Sequence, residues 1–142
     1  MLEATVRDSG HPHSRRVLLV DDEERLRGVI ARYLRTRGHE VTEAATASQA
    51  RAVLTAQEID VLLLDIDLGM ETGWDVLRWL DGRGRLDPST REPRIVILSA
   101  LTPPLARIEE FAPDAVLDKP CSVQAVARLV ELSYRQPRAD SA

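Results

Sequence analysis

The chain has 142 residues, 44% hydrophobic and 30% charged, the size and balance of one globular domain able to bury a core. A formal net charge of −4 argues against a nucleic-acid-binding surface, and a single cysteine excludes an internal disulfide framework and a cysteine-rich metal site. No stretch has the length and apolarity of a membrane span or of a signal-peptide core, so the expectation is a cytoplasmic protein without membrane or nucleic-acid partners. Residues 1–14, with His11 and His13, show no apolar period and read as a mobile tail; the folded domain is expected over 15–135, with 136–142 a second tail. Within it, the apolar run 17–20 predicts a strand. Leu26, Val29, Ile30, Tyr33 and Leu34, spaced by threes and fours and stopped by Gly38, predict an amphipathic helix. The alternation from Glu40 to Ala44 predicts an edge strand, and Thr46-x-x-Gln49 is a capping-box pattern opening a helix that buries Ala50, Val53 and Leu54.

Residues 61–64 are apolar throughout, as a strand covered on both faces requires, and Val76, Leu77 and Leu80 mark a third helix. A polar loop is expected over 81–93, then a strand at 95–98, a short helix bounded by Pro103, Pro104 and Pro113, and a strand at 115–117. Ser122 can cap a last helix carrying Val126, Leu129 and Val130. Five strands alternating with five helices give an α/β fold, a doubly wound (βα)5 parallel five-stranded sheet. Ligands in such a sheet bind outside the carboxyl ends of the strands. Asp21 and Asp22 follow the first strand, Asp65 the third and Ser99 the fourth, and Lys119, the only lysine beside eighteen arginines, comes just after the fifth.

Three carboxylates gathered without a cation repel one another. A divalent ion resolves the conflict, and all-oxygen ligation with room for water suits Mg2+. A carboxylate can attack phosphorus to give an acyl phosphate, and a lysine ammonium and a serine hydroxyl are suitable partners for the oxygens of a transferring phosphoryl group.

The run Val17-Leu18-Leu19-Val20-Asp21-Asp22-Glu23, then Leu62-Leu63-Leu64-Asp65 with Gly73 eight positions on, then Ile97-Leu98-Ser99-Ala100, then Lys119-Pro120, resembles the response regulator receiver domain of two-component signalling over about residues 15–134. The resemblance implies a flavodoxin-like strand order 2-1-3-4-5. It implies Asp65 as phosphoacceptor, Asp22 and Asp65 as side-chain magnesium ligands, Asp21 as a water-mediated one and Asp67 as a backbone-carbonyl ligand. It also implies Ser99 and Lys119 as the groups that meet the phosphoryl oxygens. The donor would be a sensor histidine kinase or a histidine phosphotransfer protein, output would go to a downstream protein target, and the only reactions catalysed would be the chain's own phosphorylation and dephosphorylation.

Three positions depart from the family pattern. Val116 stands where many receivers carry a switch Tyr or Phe, the fourth helix is proline-bounded, and Gly69 replaces a usual Pro, which predicts a looser loop after Asp65. Val116 keeps open a pseudo-receiver, a binding module that acts without phosphorylation. Asp65-Ile66-Asp67, Ser99 and Lys119 also resemble a haloacid-dehalogenase-like phosphatase. That family places its acidic metal pair after the lysine, whereas Asp21-Asp22 comes first here. Cys121 reads as a small buried hydrophobe, and Trp74 and Trp79 as packing residues.

Overall fold

The computed structural model describes residues 14–86 and 92–131. The elements run β1 Arg16–Val20, α1 Glu24–Thr36, β2 Glu40–Ala44, α2 Ala47–Ala56, β3 Val61–Asp65, β4 Asp67–Leu68, β5 Glu71–Thr72, α3 Gly73–Leu86, β6 Arg94–Ser99, α4 Leu105–Phe111, β7 Ala115–Asp118 and α5 Val123–Glu131. The main sheet is parallel with order β2-β1-β3-β6-β7, which is 2-1-3-4-5 when its five strands are counted in chain order. Residues 1–13, 87–91 and 132–142, His11 and His13 among them, lie outside the described residues. Ser14, which the sequence assigns to the tail, donates its hydroxyl to the Gly38 carbonyl at 2.8 Å.

Strand periodicity divides the core into two layers. Leu18, Val20, Leu62, Leu64 and Ile97 face α2 and α3, meeting Ala47, Ala50, Leu54, Val76, Leu77 and Leu80. The alternate residues Val17, Leu19, Val61, Leu63, Val96 and Leu98 meet Ile30, Ala31 and Leu34 of α1 and Val126, Ala127 and Val130 of α5. Each fully buried Leu or Ile contributes about 1.5–3 kcal/mol relative to exposure. A one-residue slip of a central strand would exchange its two layers, so the register of β3 against β1 and β6 is firmly set.

Local chemistry fixes the ends of the elements. Thr46 caps α2 by accepting from the Gln49 N–H at 3.0 Å, while the Gln49 side chain reaches back to the Ala45 N–H at 2.7 Å. Ser122 accepts from the Ala125 N–H at 3.0 Å and opens α5. At the amino ends of the strands, Asp60 accepts from the Arg16 N–H at 2.7 Å and from its guanidinium, joining β1 to β3 on the side away from the acidic rim. The far end of α5 is latched by Glu131, which receives two bonds from Arg37 at 2.6 and 2.8 Å and lies 2.9 Å from buried His39 Nε2. His39 Nδ1 accepts the Arg15 N–H, so Nε2 carries the proton given to Glu131. The Arg37 guanidinium holds the Glu131 carboxyl down to about 2.

One expectation needs correction. The loop expected over 81–93 begins as helix, because α3 continues to Leu86. Arg83 donates to the Leu54 carbonyl at 2.7 Å and lies over the Trp79 ring, so a polar stretch is anchored as the outer part of a packed helix. The segment after Asp65 forms the β4–β5 hairpin, pairing Asp67 with Thr72 and Leu68 with Glu71. Gly69 sits at φ +78° in the two-residue turn, the left-handed conformation such a hairpin needs at its first central position.

Helix α4 is short, as its flanking prolines predict, and none of its residues is buried. Its main anchor is Phe111, stacked on Trp74 of α3 with ring centroids 5.7 Å apart and covered by the Arg78 guanidinium.

Candidate acidic site

The carboxyl ends of β1, β3, β6 and β7 open on one rim, and the residues singled out from the sequence meet there. Asp21, directly after β1, is fully buried. Its Oδ1 accepts from the Glu23 N–H at 2.9 Å and its Oδ2 from Lys119 Nζ at 3.1 Å. Asp65 ends β3 and is 4% exposed. Its Oδ1 accepts from the Asp67 N–H at 3.1 Å and its Oδ2 from Lys119 Nζ at 3.3 Å. Asp22 is exposed, and carboxylate oxygens of Asp21, Asp22 and Asp65 all lie within 4.8 Å of one another.

Burial, and then the neighbouring Asp21 charge, push the Asp65 carboxyl up to about 6, against the Asp67 amide and Lys119, which pull it down. Burial alone would lower the Lys119 ammonium, but the Asp21 and Asp65 carboxylates outweigh it and raise it above its usual value. One ammonium thus serves a buried carboxylate pair, with a third carboxylate at the mouth. Such a set of hard oxygen donors, short of positive charge, fits a divalent cation of the magnesium type. Asp67 shares the site through its backbone; its side chain instead accepts from the Gly69 N–H at 3.2 Å.

Ser99 ends β6, and its hydroxyl is turned into its own loop. It donates to the Leu101 carbonyl and accepts from the Leu101 N–H at 3.2 Å. The Lys119 N–H donates to the Ser99 carbonyl at 2.8 Å, so backbone geometry ties the lysine segment to β6. Val116 lies on β7 at the sheet edge and is partly exposed. Cys121 is half-buried rather than buried, packs against the α1/α5 layer, and its thiol is raised by burial.

Two contributors escape sequence reasoning. A Cβ on Gly73 would sit 2.6 Å from the Asp65 carbonyl oxygen, so the start of α3 closes onto the acidic strand only with glycine there. Arg27 on α1 donates to the Asp21 carbonyl at 2.8 Å. Gly73 was visible as part of the motif but not its reason; Arg27 carries no sequence signal beyond membership of a helix.

A family model described as the response regulator receiver domain matches residues 17–131. The alginate biosynthesis transcriptional regulatory protein AlgB of Pseudomonas aeruginosa is 34% identical over 125 residues, covering 85% of this chain and 26% of that protein. The regulatory protein VirG of Rhizobium rhizogenes is 36% identical over 64 residues, 45% of this chain and 27% of it. The chain therefore spans about a quarter of the length of these relatives. Among solved structures, the receiver domain of the Francisella response regulator 1452 aligns with a TM-score of 0.72 at 24% identity, covering 85% of this chain and 97% of that one. TrrA of Thermotoga maritima, solved with Mg2+-BeF, aligns at 0.68 and 22%, covering 82% and 96%. At such identities these likenesses show the fold. No helix among the described residues is long and apolar enough to cross a membrane.

Proposed function

Because the chain belongs to the response regulator receiver family, we propose that it acts in a two-component phosphorelay, accepting a phosphoryl group on Asp65 from a sensor histidine kinase or a histidine phosphotransfer protein. The observation that carries this reading is the placement of Asp65: a buried carboxylate with acidic neighbours and Lys119 Nζ at 3.3 Å. Asp21, Asp22 and Asp65, with the backbone carbonyl of Asp67, would hold Mg2+. When bound, the ion supplies positive charge against the carboxylates and the phosphoryl oxygens.

The chain's own groups do the rest. An Asp65 oxygen attacks phosphorus, the O–P bond of an acyl phosphate forms, and the P–N bond to the donor imidazole breaks, its electron pair leaving with the imidazole. Lys119, already directed at Asp65 and Asp21, pairs with the arriving oxygens. Ser99 must release the Leu101 carbonyl to donate toward the same group, which couples phosphorylation to the loop after β6. Output passes by contact with a downstream protein, for which the exposed Leu101 and Leu105, 80% and 69% accessible, offer apolar surface beside that loop.

Intact-mass spectrometry after incubation with acetyl phosphate tests the proposal. One added phosphoryl group is expected in the presence of magnesium, and none in Asp65→Asn; unchanged labelling of that variant would sink the assignment. A second reading, a receiver whose partner binds regardless of phosphorylation, draws on Val116, which has no ring to rotate, and on α4, which buries no residue. Full partner binding by Asp65→Asn would favour it.

A further inference from the structure

Asp21 is fixed through nearly every polar group it has, but Asp22 is not. The Asp21 N–H donates to the Ala44 carbonyl at 3.1 Å, and its two carboxylate oxygens accept from Glu23 and Lys119. The Asp22 side chain is exposed, so its aim depends on the backbone that carries it. The peptide joining the two residues is gripped through its carbonyl oxygen by Arg27 Nη1 at 2.8 Å. That guanidinium is itself anchored, since its Nε donates to Glu43 Oε1 on β2 at 3.0 Å and its side chain is only 15% exposed. Glu43 is braced in turn by Arg35 at 3.3 Å.

The plane of the peptide between Asp21 and Asp22 sets ψ of the first residue and φ of the second. It therefore sets the direction in which the Asp22 carboxylate leaves the chain. A rotation of that plane would break a charge-assisted hydrogen bond to a largely buried arginine, which is among the stronger bonds of its kind. We infer that Arg27 is a positioning residue of the acidic site: through the Asp21 carbonyl it holds the Asp22 carboxylate where it can share a magnesium ion with Asp65. This rests on the reading of the acidic trio as a magnesium site.

The inference has a sign that separates it from simple electrostatics. A guanidinium beside Asp21 opposes a divalent cation by charge, so if charge were its whole role, removing it would tighten magnesium binding. If Arg27 positions Asp22, removing it weakens binding despite the lost repulsion.

The test titrates MgCl2 into wild-type chain, Arg27→Met, Arg27→Lys and Asp22→Asn, followed by tryptophan fluorescence, with urea unfolding in EDTA measured alongside. Arg27→Met, which keeps the aliphatic stem, should weaken magnesium binding by roughly ten-fold, the scale seen when groups that orient metal ligands are removed. Arg27→Lys, with the charge but not the fork, should fall between. Wild-type or tighter binding in Arg27→Met overturns the inference, as does a loss of urea stability with magnesium affinity unmoved. Should Arg27→Met fail to fold, Arg27→Lys decides alone, and wild-type affinity there overturns the inference. Magnesium binding that Asp22→Asn loses and Arg27→Met keeps removes only the role of Arg27; no binding by wild-type chain removes the magnesium reading and this inference together.

Discussion

Lys119 Nζ stands 3.3 Å from Asp65 Oδ2 although 54 residues separate them, and the same ammonium lies 3.1 Å from Asp21. It compensates the charge that burial makes costly on Asp65, and in the proposed phosphotransfer it is the partner of the arriving phosphoryl oxygens. Lys119→Ala should therefore retain magnesium binding, or tighten it, while impairing the response to phosphorylation. Calorimetry with MgCl2, paired with partner binding after acetyl phosphate treatment, separates the two; loss of both would indicate a collapsed site.

The raised Asp65 carboxyl makes a prediction about stability without metal. Its folded value, about 6, lies above the usual 3.8, so the folded chain holds this proton more tightly than the unfolded chain. The group thus favours folding most below about pH 4, and this benefit is lost as pH rises through about 6. Asp65→Asn, which cannot ionise, should be more stable than wild type by on the order of 2 kcal/mol at neutral pH in EDTA. The gap should close as pH falls toward 4. Urea unfolding at several pH values checks it, and a gap that grows on acidification would contradict it.

Glu131 titrates with the opposite sign. Arg37 holds its folded carboxyl at about 2, below the usual 4.5, so its stabilising contribution is present above about 4.5 and lost as pH falls toward 2. Glu131→Gln should lower stability at pH 7 and flatten the acid side of the stability profile below 4.5. Thermal melts of the two chains from pH 7 to pH 3 would show whether the curves converge as expected.

Gly73→Ala places a methyl group 2.6 Å from the Asp65 carbonyl oxygen, with Leu64 Cγ at 3.0 Å and Ile66 Cα at 3.1 Å. Two of these three atoms are backbone and cannot step aside alone, so the substitution should cost about 1–3 kcal/mol, the range for overpacking. It should also displace Asp65. Urea denaturation and magnesium titration of the same variant report both effects, and a neutral outcome would mean that α3 can retreat from the strand.

Ala112 ends α4 at φ +45°, a left-handed conformation that costs a residue with a Cβ about 1–2 kcal/mol. Its N–H still donates to the Ile108 carbonyl at 2.8 Å, so the conformation is held by the helix end it closes. Ala112→Gly should relieve the strain, and a higher unfolding midpoint with unchanged magnesium affinity is the expected result.

The architecture was legible from the sequence because hydrophobic period is a local property. Alternate apolar residues along a strand specify two faces, and spacings of three and four specify the face of a helix. Since each helical crossover returns the chain to the same end of the main sheet, its five strands all point the same way, and residues at or just after their carboxyl ends, Asp21, Asp65, Ser99 and Lys119, fall on one rim. The same reading missed the outer turn of α3, whose polar residues show no period but are anchored by Arg83 on Leu54 of another helix. It did not show the hairpin after Asp65, where Gly69 serves the turn. Tertiary structure alone decided that Arg27 grips the Asp21 carbonyl, that the Ser99 hydroxyl faces Leu101, and that the Asp65 carboxyl is raised. Periodicity records which face of an element is covered, whereas the partner of a polar atom, and the burial that shifts a carboxyl, depend on where distant elements come to rest.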